Sequence, residues 1–230
     1  MYLYETHMHT SPVSACARAS VRENLEYYRS AGYAGVFMSD HFIDANFDQS
    51  ARELSYDERI RHYFSAYEEG REIGEEIGLS VFPAFEMAEG WTHILVYGID
   101  CEWCLSHPDM DQMKKHELMT LMRESGALLI QAHPFREVPN VIRLYPKHIH
   151  GVEIYNACRT DFENELARQF CENYGLIPFA GSDNHSAGKR TRFGGIATER
   201  PIRDTRDFVE LTLRGECRPF ARDENGVRLL

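Results

Sequence analysis

The chain has 230 residues and a mass of 26.6 kDa, enough for one substantial hydrophobic core. Its composition, 43% hydrophobic and 27% charged, is typical of a soluble globular protein, and no run of 18 apolar residues predicts a membrane span. The formal net charge of −11 disfavours long nucleic acid, which attracts clustered Lys and Arg. The first residues show no basic leader or apolar signal stretch, so we expect a cytoplasmic protein that acts on a small molecule.

Strands and helices are predicted to alternate along the chain. Three capping boxes mark helix starts, because a Ser or Thr and a Glu three residues later satisfy each other's free backbone N–H groups. The predicted helices begin at these boxes or end at a glycine, and they cover residues 20–32, 55–77, 109–125, 160–175 and 204–214. The predicted strands cover residues 2–5, 34–38, 79–85, 93–98, 127–131, 151–155 and 176–180.

This alternation predicts an α/β fold with a largely parallel sheet. The apolar runs at 36–38, 128–130 and 176–180 are continuous, as in strands that are buried on both faces. A closed or nearly closed barrel explains this pattern. An open doubly wound sheet is the alternative, but the sequence has no Gly-rich phosphate loop to favour it.

Histidines and carboxylates recur where the predicted strands end, and in one case where a strand begins. A single His at such a place is more often structural than a ligand, but structural histidines have no reason to prefer one end of a barrel. The C-terminal strand ends of an α/β barrel share one face, and imidazoles with carboxylates are ligands for Zn²⁺, Mn²⁺ or Fe ions. The pattern predicts a multinuclear metal site formed by His7, His9, His41, Glu86, His93, His133, Asp183 and His185.

Two further carboxylates are predicted to support this site. Asp40 directly precedes His41 and is expected to orient an imidazole N–H. Glu153 lies inside a predicted strand, where a carboxylate is costly unless it meets a partner, so we expect a supporting role.

Taken in order, these motifs resemble those of the PHP family, named for polymerase and histidinol phosphatase. The resemblance runs over essentially the whole chain. It includes His-x-His at 7–9, Ser-Asp-His at 39–41, the strand-end Glu86, His-Ile-Leu-Val-Tyr-Gly at 93–98, Ala-His-Pro-Phe-Arg at 132–136, Val-Glu-Ile-Tyr-Asn at 152–156 and Gly-Ser-Asp-Asn-His at 181–185. It implies a distorted (β/α)7 barrel, a single domain over residues 1–230, and two or three divalent metal ions (Zn, Mn or Fe).

The resemblance also implies how the ligands are shared. The first ion would be held by His7, His9, Glu86 and Asp183. The second would share Glu86 with the first and add His93 and His133, and the third would be held by His41 and His185. Family members usually supply one more Asp or His to the third ion shortly after His-x-His. Here the segment 10–16 offers only Cys16, whose thiolate would suit zinc, so its binding is left open.

The implied activity is hydrolysis of a small phosphate ester by a metal-bridging hydroxide, as in a histidinol-phosphatase-like phosphomonoesterase. The nucleophile would then be metal-bound water rather than a side chain. Two alternatives are a phosphodiesterase or nuclease acting on nucleotides or short nucleic acid, and a non-catalytic metal-binding module. Cationic side chains that are expected to bind the substrate phosphate lie in loops after the later strands, at Arg136, Arg159, Lys189, Arg190 and Arg192.

Overall fold

A computed structural model describes residues 1–136, 141–188 and 191–230. Its six α-helices within these ranges are α1 (Val21–Ser30), α2 (Tyr56–Ile77), α3 (Cys101–Leu105), α4 (Lys115–Glu124), α5 (Asp161–Tyr174) and α6 (Thr205–Leu213). Its strands are β1 (Tyr2–Met8), β2 (Gly35–Met38), β3 (Ser80–Glu89), β4 (Thr92–Tyr97), β5 (Leu128–Ala132), β6 (Gly151–Asn156), β7 (Ile177–Gly181), β8 (Phe193–Thr198), β9 (Arg218–Asp223) and β10 (Gly226–Leu229).

The strands form one curled sheet in the order β10-β9-β8-β1-β2-β3-β4-β5-β6-β7. Strands β1, β2 and β3 pair in parallel, as do β5, β6 and β7, whereas β4 lies antiparallel between the two groups. The curl brings the end of β7 back to β1, where Met8 forms a parallel bridge with Asn184. The His9 N–H donates to the Asn184 carbonyl at 2.8 Å across the same junction. The C-terminal ends of the parallel strands therefore surround one mouth.

The predicted α/β fold is confirmed, and the seven predicted strands correspond to β1–β7. Strands β8, β9 and β10 were not predicted, because β8 contains a Gly-Gly pair and β10 is exposed along its whole length. They pair antiparallel, as does β4, so the sheet is less parallel than expected.

The helix prediction was accurate where side-chain caps fix the ends. All three predicted capping boxes are present, at the starts of α1, α2 and α5. The predicted helix over 109–125 was wrong at its start, because α4 begins only at Lys115 and residues 108–112 form turns. The short helix α3 precedes these turns and is capped by the Asp100 side chain. Within the described ranges, no helix has the length and apolar character needed to cross a lipid bilayer.

An aromatic cluster inside the barrel separates its two ends. Phe208 of α6 packs against Phe37 and Tyr97, with ring centroids 4.2 and 5.1 Å apart, and Phe179 lies 6.2 Å from it. Phe37, Phe208 and Phe179 are fully buried. Because α6 packs across the end where the parallel strands start, the interior is apolar there, and the candidate ligands gather at the opposite mouth.

The loop before α6 is fixed to this helix by an ion-paired carboxylate, that of Asp207. Asp207 is buried and accepts hydrogen bonds from both Arg200 guanidinium nitrogens at 2.7 Å, from the Arg203 guanidinium at 2.8 Å and from the Arg203 backbone N–H at 3.0 Å. The hydrogen bonds from Arg200 and Arg203 hold the pKa of Asp207 far below its usual range.

We predict that Asp207→Asn lowers the free energy of unfolding at pH 7 by about 1–2 kcal/mol, a modest loss because both arginines are partly in water. The ionised Asp207 stabilises the fold above the unfolded-state pKa of about 3.9, and this contribution is lost as the pH falls below that value. Denaturant unfolding at several pH values measures this difference. Glu210→Gln, which removes an exposed pair with Arg206, is the control and should change stability by less than about 0.5 kcal/mol. A wild-type advantage that persists undiminished at pH 2 would contradict the prediction.

Candidate metal centre

The Glu86 carboxylate, near the end of the parallel part of β3, lies at the centre of the mouth. It is fully buried, and five imidazole nitrogens approach its oxygens. The distances are 2.8 Å to His41 Nδ1, 2.8 Å to His93 Nδ1, 3.3 Å to His7 Nε2, 3.3 Å to His133 Nε2 and 3.6 Å to His9 Nε2. The antiparallel strand β4 reaches the mouth with its N-terminal end, which explains why His93 begins its strand whereas other candidates end theirs.

A second carboxylate, Asp183, lies opposite Glu86 at the end of β7. Its oxygens lie within 4 Å of four imidazoles, at 3.4 Å from His9, 3.5 Å from His185, 3.6 Å from His7 and 3.8 Å from His133. All eight ligands predicted from strand ends are therefore brought together around two carboxylates.

These side chains fit a multinuclear divalent-metal centre. The buried atoms His7 Nε2, His9 Nε2, His41 Nδ1 and Glu86 Oε2 have no hydrogen-bond partner among the described residues, although they converge on one another. Buried lone pairs without partners are costly, and shared cations would satisfy them. Four sets have donor atoms within 4.8 Å of one another: His7, His9 and Glu86; His7, His133 and Asp183; His41, Glu86 and His93; and His9, His41 and His185.

The electrostatics keep both carboxylates ionised. Burial alone would raise the pKa of Glu86, but His93, His41 and His7 outweigh it and hold the pKa well below the usual value. The same balance lowers the pKa of Asp183, with His7 as the largest favourable contribution. Both groups are thus available as anionic ligands at neutral pH.

Glu153, on β6, orients two of the ligands. One oxygen lies 2.9 Å from His7 Nδ1, and the other accepts the His133 backbone N–H at 3.0 Å. This geometry directs the other imidazole nitrogen of His7 toward Glu86 and Asp183. The structure therefore gives Glu153 the supporting position expected from its place in a strand.

Asp40 contacts the candidate ligands through Ser14, and not directly as had been expected. It does not face an imidazole directly but accepts hydrogen bonds from Thr10 N–H at 2.5 Å and from the Ser14 hydroxyl at 2.6 Å. The Ser14 hydroxyl oxygen in turn accepts the backbone N–H of His41 at 2.9 Å and lies 3.2 Å from His9 Nδ1. Sequence reasoning missed Ser14, which carries no signal beyond its place after His-x-His.

Two ligands have left-handed backbone conformations. His133 has φ 27° and Asp183 has φ 52°. Such angles are uncommon for residues other than glycine and cost free energy, so the surrounding structure must impose them. Strain of this kind concentrates at functional sites, and among the described residues the two non-glycine residues with such angles, His133 and Asp183, are both candidate metal ligands.

Cys16 lies at the edge of the same mouth, in contact with the predicted third site. Its pKa falls to about 6, because hydrogen bonds with His185 and His41 outweigh the opposing effect of burial. The residue is otherwise exposed to solvent. A thiol in this setting is ready to bind a cation as the thiolate.

A cavity of about 640 Å³ opens directly over the carboxylates. Arg136 and Arg159 line it, and Arg159 approaches Asp183 at 3.9 Å. Trp91, in the β3–β4 turn, lines it too and is 62% exposed, with the Arg136 guanidinium 5.4 Å from its ring centroid. Nothing in the sequence pattern pointed to Trp91, since an exposed hairpin residue has no periodicity.

The remaining predicted cations are placed differently. Arg192 binds Asp161 at 2.7 Å and packs over the Tyr155 ring, so it is engaged away from the cavity lining. Lys189 and Arg190 lie outside the described residues.

Comparison by sequence finds no protein-family model and no curated protein that matches the chain. Comparison by structure does find similar proteins. One is a two-domain protein from Bacteroides vulgatus ATCC 8482 containing a predicted PHP-like metal-dependent phosphoesterase, with a TM-score of 0.70 and 14% identity over 95% of this chain. This chain covers 64% of that protein, so the match spans less than two thirds of its length.

Two further structures have the same fold. A protein from Bifidobacterium adolescentis ATCC 15703 assigned as a metal-dependent phosphoesterase has a TM-score of 0.55 and 16% identity, over 93% of this chain and 94% of its own. The lesion-specific endonuclease PfuEndoQ from Pyrococcus furiosus has a TM-score of 0.62 and 11% identity, over 99% of this chain and 57% of its own. The resemblance found in the motifs is thereby confirmed at the level of the fold.

We predict that Gly181→Ala weakens metal binding, because an added Cβ would lie 2.5 Å from both Glu153 Oε1 and His7 Cβ. The clash separates His7 from the carboxylate that orients it. We expect metal affinity to fall by at least ~10-fold, as for loss of a ligand's supporting contact, and stability to fall by about 1–3 kcal/mol. Zinc titration of the metal-free protein, with thermal unfolding alongside, measures both, and unchanged affinity would show that this close approach is unimportant.

Proposed function

We propose that this protein is a metal-dependent phosphoesterase of the PHP type that hydrolyses a small phosphomonoester. One observation carries the proposal: the buried Glu86 lies among five imidazoles directly below a cavity lined by Arg136 and Arg159. Ligands for divalent cations and donors for phosphate oxygens thus face one space. The fold shared with proteins named as metal-dependent phosphoesterases supports it.

Bound Zn²⁺, Mn²⁺ or Fe ions would supply an activated water and neutralise charge on the phosphoryl group. His7, His9, Glu86 and Asp183 would hold one ion, Glu86 with His93 and His133 a second, and His41 with His185 a third. The chain's own part is positioning. Arg159 and Arg136 offer guanidinium N–H groups to phosphate oxygens, while Glu153 keeps His7 in one orientation.

We further propose that Cys16 completes the third position. Cys16 lines the same cavity as His41 and His185, the two histidines expected there, and both histidines lower its pKa. A thiolate favours zinc over manganese, so this position should be the most zinc-selective of the three.

A second candidate function, hydrolysis of a nucleotide or a phosphodiester in short nucleic acid, is favoured by Trp91. An exposed indole at the cavity rim can stack on a planar base, and such stacking is worth about 1–3 kcal/mol per base. The likeness to PfuEndoQ, a lesion-specific endonuclease, is compatible with this candidate. Faster turnover of bis-p-nitrophenyl phosphate than of p-nitrophenyl phosphate, with loss on Trp91→Ala, would favour it over the monoesterase.

The finer architecture is also a proposal. We expect residues 1–230 to form one domain built as a distorted (β/α)7 barrel, with β8–β10 as additions at one edge of the sheet. We further expect a cytoplasmic location and reduced cysteines.

We predict that hydrolysis of p-nitrophenyl phosphate disappears on chelation and returns with Mn²⁺ or Zn²⁺. His9→Ala and Asp183→Ala should each lower kcat by at least ~10³, since activation of water depends on the ions they hold. The matched control is His116→Ala, an exposed histidine of α4, which should keep the wild-type kcat. Turnover that survives complete metal removal would contradict the proposed function.

For Cys16→Ser we predict the loss of one zinc ion per chain, because the hydroxyl replaces the thiolate while His41 and His185 remain. Elemental analysis of zinc-loaded wild type and variant, each with and without phosphate, gives the count. Cys217→Ser is the control, since Cys217 is buried in the barrel interior cluster away from the mouth. A variant that retains three ions removes Cys16 from the ligand set, and a wild type with two ions even in phosphate removes the third site.

A further inference from the structure

We infer that Glu5 is a positioning residue for the metal centre. It holds the end of β1, which carries His7, next to the segment after β7, which carries Asp183. Glu5 is fully buried in β1 and does not line the cavity over the ligands. Its effect must therefore pass through other residues. The inference rests on the proposed metal centre.

A single carboxylate oxygen makes the connection. Glu5 Oε1 accepts backbone N–H groups from Thr6 at 3.0 Å, His7 at 2.9 Å and Ser182 at 2.9 Å. His7 is itself a candidate ligand, and Ser182 directly precedes Asp183. The backbone of each ligand-bearing segment is thereby fixed relative to the same atom.

The sheet itself offers little at this junction. In the sheet, β1 pairs with β2 and β8, whereas β7 pairs with β6. Strands β1 and β7 therefore meet at the seam, the junction where the chain after β7 returns to β1 at the Met8–Asn184 bridge. The register of β1 against β2 also shifts between Glu5 and Met8, and Thr6 and His7 lie inside that irregularity. A buried N–H group without a partner costs about 1–3 kcal/mol. The Glu5 carboxylate accepts hydrogen bonds from the Thr6 and His7 N–H groups at the point where the pairing of β1 with β2 is interrupted.

Other contacts across the seam show how closely the segments approach. The Thr6 hydroxyl donates to the Ala180 carbonyl at 2.5 Å, and the Asn184 N–H donates to the His7 carbonyl at 3.3 Å. They connect neighbouring residues of the same two segments, but among the described residues only Glu5 binds the N–H groups on both sides with one atom. A small movement of its carboxylate would therefore change the separation of His7 and Asp183, whose side chains lie 3.6 Å apart between His7 Nε2 and Asp183 Oδ1.

The second oxygen, Oε2, belongs to a buried polar group with Tyr28 and Asn184. Oε2, the Tyr28 hydroxyl and Asn184 Nδ2 all have unused hydrogen-bonding capacity among the described residues. Tyr28 faces both of the others. The length of the side chain and its charge can thus be tested separately. Glu5→Gln keeps an acceptor oxygen at the same distance from the backbone, and its new NH₂ group can donate to the Tyr28 hydroxyl.

The decisive comparison is Glu5→Gln against Glu5→Asp. The glutamine keeps the reach and loses the charge, whereas the aspartate keeps the charge and is one methylene too short to hold all three N–H groups. Zn²⁺ is titrated into the metal-free proteins in competition with a chromogenic chelator, and thermal unfolding of the metal-free forms is recorded. Tyr28→Phe is the control for the second oxygen.

We expect Glu5→Asp to bind zinc at least ~10-fold more weakly than wild type, the loss typical of a residue that orients a ligand, and Glu5→Gln and Tyr28→Phe to stay within about 3-fold. If Glu5→Asp does not fold without metal, that loss set against near-wild-type stability and affinity of Glu5→Gln supports positioning by reach. Unchanged affinity in Glu5→Asp, or a loss in Glu5→Gln as large as in Glu5→Asp, overturns the inference while leaving the proposed function intact. A wild type that binds no zinc overturns both.

Discussion

The interaction on which this molecule depends is the approach of five imidazoles to one buried carboxylate, Glu86. A buried charge is costly unless it is paired, and no Lys or Arg among the described residues pairs with it. Histidines can meet this need in two ways, as cations or as co-ligands of a metal. Because several of their nitrogens remain without hydrogen bonds, the second way accounts for more of the arrangement.

The two ends of the barrel differ in composition, one being apolar and the other carrying the candidate metal centre. Phe208 and its aromatic neighbours close one end, and the candidate metal ligands lie at the other. There strands β1 and β6 and the segment directly after β2 supply three further buried carboxylates, Glu5, Glu153 and Asp40, which bind backbone or side-chain donors of the candidate ligand segments. The candidate ligands are therefore held by residues on or next to strands, as a preorganised site requires.

The convergence of the candidate ligands was predictable from sequence because strands of a barrel end at one face, so a His or carboxylate at each end is an informative pattern. The supporting residues were not equally visible. Glu153 was suggested by its place inside a strand, but the role of Glu5 depends on an irregularity in pairing and on a seam between segments 177 residues apart. Trp91 escaped prediction for another reason, since a turn residue shows its role only when the cavity beside it is known. The edge strands β8–β10 were missed because glycines and charges obscure their alternation.

The local charge of the site bears on how an acidic chain could bind the proposed phosphate ester. The formal net charge of −11 would repel a phosphate, and the two carboxylates Glu86 and Asp183 add to that repulsion while no cation is bound. Two divalent ions, as proposed, would bring four positive charges into the mouth, more than these two carboxylates carry, and Arg136 and Arg159 are already placed at its wall. Loading with metal would thus reverse the sign of the field in the cavity, and a closely focused positive potential could attract a small anion that the rest of the surface disfavours. The same acidic surface would repel a long polyanion, so the electrostatics favour a ligand small enough to fit within the reach of the metal centre and the two arginines.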